Sequence, residues 1–161
     1  MQKQIFGCVE GAQTLYLATH ATIGKPVIYI SRDDIELKQL SQGLSLFAPD
    51  IDVVCLPAWD CLPYDRLSPH GDITGERIST LSKLASTEIL NTKNVILLTI
   101  NSFLQKIPPK SFFLNASLKL SKGADYNLNE IASFLQDCGF NRTNTVREYG
   151  EFAIRGDIVD I

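Results

Sequence analysis

The sequence predicts an α/β fold: a parallel sheet with helices on both faces, followed by a second, smaller α+β unit. Three observations carry this. Short apolar runs recur that are continuous rather than alternating, as in strands buried on both faces. Between them lie segments whose apolar residues repeat at helical spacing. After Leu104-Gln105-Lys106-Ile107 the pattern breaks at Pro108-Pro109, where proline removes backbone donors and disfavours helix in the residue before it.

The apolar runs are Ile5 to Val9, Val27 to Ile30, Val53 to Leu56 and Val95 to Ile100. Between the first two, Ala12, Leu15, Tyr16, Ala18 and Thr19 fall at helical spacing, with a stop at Gly24-Lys25-Pro26. Ile35, Leu37, Leu40, Leu44 and Phe47 form the next stripe, for which Ser31 or Asp33 is a suitable N-cap. Ile78, Leu81, Leu84 and Ala85 form a third before the fourth run. Strand and helix in alternation imply crossovers that return each strand parallel to the last. The division therefore falls at residues 1–110 and 111–161. In the second part, Phe112 to Leu120 reads as a strand, and Asn127-Leu128-Asn129-Glu130 has capping-box spacing ahead of Leu128, Ile131, Phe134/Leu135 and Cys138. Gly139 is placed to end that helix in a left-handed conformation. Thr143 to Glu148, a turn through Tyr149-Gly150, then Phe152 to Ile154 and Ile158 to Ile161 suggest an antiparallel meander.

Composition narrows the class. The 161 residues are 45% hydrophobic with a net charge of −3, which disfavours disorder, and no run approaches the ~20 apolar residues of a membrane helix. The start lacks the apolar core of a secretory signal, so a cytoplasmic address is the expectation. Cys8, Cys55, Cys61 and Cys138 make no C-x-x-C pair and read as small reduced core residues; His20 and His70 lack metal-ligand spacing. Residues 1–110 carry 10 basic and 11 acidic side chains and residues 111–161 carry 5 and 7, so neither part shows the basic stripe of a nucleic-acid surface.

Three places have the residue types for chemistry or binding. Gly7 to Thr14 sits where a phosphate-binding loop would, but Gly11 is followed by Ala12 and Gln13 instead of lysine and Ser/Thr, and Glu10 would repel an anion. It is a plain strand-to-helix turn or a working nucleotide site. The run from Leu56 to Asp72 lies at the carboxyl end of a predicted strand, where open α/β sheets place ligands. Trp59 and Tyr64 either line a surface there with the nearby carboxylates or anchor the loop, leaving Asp60, Asp65 and Arg66 in water. Ser68 and His70 lack a third member for nucleophilic catalysis. In the third place, period two turns Arg147 and Arg155 away from the apolar face of Val146, Phe152 and Ile154, and a hairpin would bring the two arginines together. Such a face takes carboxylates through bidentate pairs, or is a solvated surface paired locally with Glu148 and Glu151.

Two long motifs add a resemblance. Trp59-Asp60-Cys61-Leu62-Pro63-Tyr64-Asp65 with Ser68-Pro69 and Arg77-Ile78-Ser79-Thr80-Leu81 is one. Gly139-Phe140-Asn141-Arg142 with the stretch Val146 to Ile161 is the other. Both resemble the amino-terminal region of bacterial transcription-repair coupling factors, and the second is also similar to the excision-repair protein UvrB. The resemblance implies a RecA-like, P-loop NTPase-like domain (residues 1–110) without a catalytic P-loop, and the start of an inserted UvrA-binding domain (residues 111–161). It implies a scaffold and interaction module that recruits UvrA to a stalled RNA polymerase. ATP, magnesium, duplex DNA and polymerase contact would belong to parts of a longer chain, which is expected to continue past Ile161. Arg142, Arg147 and Arg155 match the UvrA-contacting surface, with Phe152 or Tyr149 as packing support; the family often has proline where this chain has Tyr149. The alternative is a catalytically active UvrB-like or other P-loop nucleotide-dependent enzyme using Gly7 to Thr14. A third reading packs the arginine surface against another part of the longer chain.

Overall fold

A computed structural model describes residues 4–9, 11–61, 66, 68–86, 89 and 91–161. The first unit comprises α1 (Ala12–His20), β1 (Val27–Ser31), α2 (Asp34–Phe47), β2 (Asp52–Leu56), α3 (Gly71–Ala85), β3 (Asn94–Thr99), α4 (Ile100–Leu104) and α5 (Lys110–Asn115). Its three strands are parallel in the order β1-β3-β2, so the chain steps over the central position and returns to fill it. All six residues of β3 are buried, as its unbroken apolar run requires.

Alternation along β3 divides the core. Val95 and Leu97 face Leu17 of α1 and Leu40 and Leu44 of α2, whereas Ile96 and Leu98 join Val54 and Leu56 against Leu81 and Ala85 of α3 and Phe113 of α5. Helices thus lie on both faces of the sheet, as expected, but the edge strand β1 is not buried on both faces: Ile28 and Ile30 are exposed, because no helix reaches that side of the edge. The turns of α1 and α2 cross closely because Gly43 has no side chain where buried Thr14 sits; a Cβ there would lie 2.7 Å from the Thr14 hydroxyl. Asp33 caps α2 by accepting from the Glu36 amide at 2.9 Å. Thr80 of α3 donates to the Cys55 carbonyl at 2.8 Å, fixing helix to strand. The buried sides of these helices are narrower than their apolar stripes: Leu15, Ile35, Phe47 and Ile78 are all exposed, since a three-stranded sheet offers little width to cover.

Several expectations fail here for physical reasons. Residues 5–9 form no strand; they are exposed and make no ladder, because the apolar run alone supplies no paired neighbour. Phe112 to Leu120 is not a strand either. Pro109 stands at the N-cap of α5, Phe113 turns into the core beside α3, and the chain after Ala116 is irregular. Cys8 and Cys138 are exposed rather than core; all four cysteines are free.

The second unit contains α6 (Leu128–Asp137), β4 (Asn141–Arg142), β5 (Glu151–Arg155) and β6 (Ile158–Asp160). Asn127 caps α6 through the Asn129 amide, with Glu130 reaching back to its side chain. Gly139, at φ +88°, ends the helix: its amide donates to the Gln136 carbonyl and that of Phe140 to Leu135, the paired bonds of a Schellman turn. Ile131, Ala132 and Leu135 pack on Phe152, which is fully buried. The sheet is only partly the expected meander, for β5 and β6 are antiparallel but β4 and β5 are parallel. Residues 143–148 therefore form a strap, not a strand. No helix among the described residues is long and apolar enough to cross a membrane.

Candidate functional site

The turn before α1 has glycines where the backbone takes positive φ. Gly11 holds φ +86° at the N-cap of α1, and Ala12 is the first helical residue. Gly7 also has positive φ, while Glu10 lies outside the described residues. Ile5 and Cys8 run beside β1 without pairing to it and line a cleft of about 350 Å³ with Tyr16, Leu17 and Tyr29. No lysine lines that cleft among the described residues. Tyr29 donates to the Glu36 carboxylate at 2.7 Å; its burial, reinforced by that bond, pushes the phenol pKa up to about 12.

At the carboxyl ends of the strands, the anchoring reading of Trp59 holds. The Arg77 guanidinium lies 4.4 Å from the centre of the Trp59 ring and donates to the Pro57 carbonyl and, at 3.4 Å, to the Ser102 hydroxyl. Arg77 is only 2% exposed, and its surroundings desolvate it enough to lower its pKa. No carboxylate pairs with it among the described residues. A buried arginine is unforeseen by the sequence reading, which placed Arg77 only within a motif; the signal was its position one residue before the apolar stripe of α3. Asp60 accepts from the His70 amide at 3.3 Å, and His70 caps α3 through the Asp72 amide, so both organise the loop. Tyr64 and Asp65 lie outside the described residues.

The arginine-bearing surface is built around β5. Arg142 on β4 stands in register with Phe152, and the Asn141 and Thr143 amides donate to the Gly150 and Phe152 carbonyls, each at 2.8 Å. Glu151 does not pair with an arginine side chain. Its carboxylate instead accepts from the backbone amides of Arg147 and Glu148, at 2.8 and 3.2 Å, and so holds the strap. Arg142 and Arg147 are exposed and have no ion-pair partner among the described residues, whereas Arg155 pairs with Asp160 across β5 and β6.

Arg147 lies on the strap, its amide held by Glu151 at the start of β5, while Arg155 is the last residue of β5, so no hairpin ladder pairs the two, and the strand from Glu151 to Arg155 spans about 13 Å. The surface is therefore a spread of forks, suited to several separated carboxylates. Phe152, fully buried, supports β5 from beneath. Tyr149 is exposed on one side, while its ring lies against α3, where a Cβ on Gly75 would be 3.3 Å from the ring. The ring borders an open cleft of about 740 Å³ between α3 and the strap.

A model of the UvrB interaction domain matches residues 118–161, the segment that carries all three arginines. The transcription-repair-coupling factor of Rickettsia bellii is 35% identical over 83% of this chain, and that of Escherichia coli K12 is 32% identical over 99%. The chain belongs to the transcription-repair-coupling factor family. It spans 12% and 14% of the length of those two relatives. The transcription-repair-coupling factor of Mycobacterium tuberculosis is 32% identical over 68% of the chain. The match to the Escherichia coli relative thus spans the parallel sheet as well as the arginine-bearing surface.

Proposed function

We propose that this chain is the UvrB-like, UvrA-recruiting region of a transcription-repair coupling factor, and that it works as an interaction and scaffold module rather than as an enzyme. The observation that carries the reading is the UvrB interaction domain match over a segment whose Arg142 and Arg147 are exposed and have no ion-pair partner among the described residues. Guanidinium groups so placed meet carboxylates of a partner bidentately, and the desolvation of a formed interface makes such pairs stronger than on an open surface. Arg155 joins them by exchanging its Asp160 partner, since an exposed pair of this kind costs little to replace. Residues 1–110 act as scaffold with a RecA-like sheet, and residues 111–161 begin the UvrA-binding domain, with α5 tethering the second part to the core of the first.

In this reading the turn at Gly7, Glu10, Gly11 and Ala12 is a degenerate P-loop, and the chain needs no cofactor. Stalled RNA polymerase, duplex DNA and ATP with magnesium engage other parts of the longer protein, in the cytoplasm. The test is capture of purified UvrA by the chain and by Arg147→Glu and Arg155→Glu. Charge reversal is expected to lower capture at least tenfold with unchanged thermal melts, and undiminished capture by both variants would overturn the reading. A calorimetric titration with ATP and magnesium is expected to show no saturable heat; saturation would restore the nucleotide-dependent alternative.

A further inference from the structure

Of the three arginines carried by β4, the strap and β5, only Arg155 has an ion-pair partner among the described residues. It donates from Nη2 to Oδ2 of Asp160, whereas Arg142 and Arg147 have no such contact. The Glu151 carboxylate is committed elsewhere, to the backbone amides of Arg147 and Glu148.

The pair follows from the register of the β5–β6 hairpin. Arg155 stands opposite Ile158 and Asp160 opposite Ala153, so the two side chains share a face and meet on the diagonal. The connection Gly156-Asp157, with Gly156 at φ +60°, fixes that register. Asp157 carries the same charge but is exposed in the turn and has no ion-pair partner among the described residues. The hairpin thus holds one carboxylate on the arginine and one off it.

The nitrogen that Asp160 occupies decides what the pair does. A guanidinium offers a carboxylate two bidentate edges, Nη1 with Nη2 and Nε with Nη2, and Nη2 belongs to both. With Asp160 on Nη2, an incoming carboxylate can take either edge only beside the Asp160 carboxylate or in place of it. Like charges side by side repel, so whatever a partner gains at Arg155 is reduced by the contact it displaces. We propose that Asp160 is a built-in competitor for Arg155. It engages the fork in the unbound chain and selects for a partner carboxylate that grips both nitrogens of an edge, and so displaces the single bond that Asp160 makes. The proposal rests on the UvrA reading of this surface.

The test measures capture of purified UvrA by the chain and by variants at Asp160, Asp157 and Arg155. Asp160→Asn and Asp160→Ala should bind UvrA about two- to fivefold more tightly than the parent, the worth of an exposed ion pair. Arg155→Gln should bind more weakly than the parent, and adding either Asp160 substitution to it should change nothing, since no fork is left to free. Asp157→Asn removes the same charge without touching Arg155 and should give less than half the gain. Capture should also fall more steeply with salt in Asp160→Asn than in the parent, because the parent exchanges one ion pair for another whereas the variant forms a new one. Thermal melts of all variants should match the parent's. Unchanged or weaker capture by both Asp160 variants, beside a clear loss in Arg155→Gln, would overturn the competitor role and leave the UvrA reading standing. An equal gain from Asp157→Asn, or a gain that survives Arg155→Gln, would overturn it by assigning the effect to net charge. No capture of UvrA by the parent or any variant would remove both.

Discussion

Arg77 shows how one side chain holds the loop at the strand ends. A guanidinium 2% exposed and without a carboxylate among the described residues has lost most of its hydration, and it recovers part of that cost through the Pro57 carbonyl, the Ser102 hydroxyl and the Trp59 ring, while its buried Nε has no hydrogen-bond partner among the described residues. Arg77→Ala removes all three and leaves a void, so it should destabilise the chain by about 2–4 kcal/mol in urea unfolding. Arg77→Lys should restore little, since an ammonium neither forks nor stacks in the same way; a lysine variant as stable as the parent would refute this account. Tyr29 gives a prediction in pH. Its pKa, near 10 when unfolded, is pushed up to about 12 by burial and by Glu36, so the folded state keeps a proton that the unfolded state has lost. Stability from this group is complete below pH 10 and declines as pH rises from 10 towards 12. The melting temperature of the parent should therefore fall more steeply over that window than that of Tyr29→Phe, and parallel curves would show that the phenol is not shielded.

Among the elements, α5 is the sharpest departure from the sequence reading and also the most testable. Phe112-Phe113-Leu114 is apolar throughout, so it lacks a period that separates strand from helix. Tertiary packing decided it, by giving Phe113 alone a place against Leu81 and Ala85. Phe113→Ala should cost about 3 kcal/mol or more, whereas Phe112→Ala, on the exposed side, should stay within about 0.5 kcal/mol. Equal losses in denaturant unfolding would mean that α5 is not seated as described. The cap of α6 is a milder case: Asn127→Ala should cost about 1 kcal/mol. What was legible follows from the same physics. The runs at 27–30, 53–56 and 95–99 became the sheet, with only the central β3 covered on both faces and Ile28 and Ile30 of the edge strand left exposed, and Asn127, Glu130 and Gly139 marked the ends of α6 by local chemistry. The run at 5–9 failed because a strand is defined by its neighbour, and residues 143–148 failed because pairing β4 parallel to β5 uses a strap where an antiparallel hairpin would use a turn. The arginines could be named from their facing, but their separation along β5 depended on that unforeseen strap.

At the scale of the whole molecule, Tyr149 is the side chain through which the strap meets the first unit. Its ring rests on α3 at Gly75, with its Cβ 3.8 Å from the position a side chain on Gly71 would take, so two small residues four apart make the bed on which it lies. Gly75 is inside a helix, where alanine is ordinarily favoured over glycine by about 0.5–1 kcal/mol. A Cβ at Gly75 would approach the ring to 3.3 Å, so the ring must shift for that gain to be realised. The two substitutions should therefore be coupled. In a double-mutant cycle, Gly75→Ala should be nearly neutral in the parent yet stabilising by about 0.5–1 kcal/mol in the Tyr149→Ala background, where nothing opposes the new methyl group. Equal effects in both backgrounds would show that the units do not touch in solution at this point. On the proposed reading the coupling also bears on UvrA recruitment, because the end of the strap that carries Arg147 is fixed by both the Glu151 carboxylate and this ring, while the Thr143 amide holds the other end on the Phe152 carbonyl. Tyr149→Ala should then weaken UvrA capture less than Arg147→Glu does, and Tyr149→Phe, which keeps the ring and loses only the hydroxyl, should capture UvrA as the parent does. A phenylalanine variant as impaired as the alanine one would assign the effect to the hydroxyl instead and leave the seat on α3 without a role in orienting the arginine.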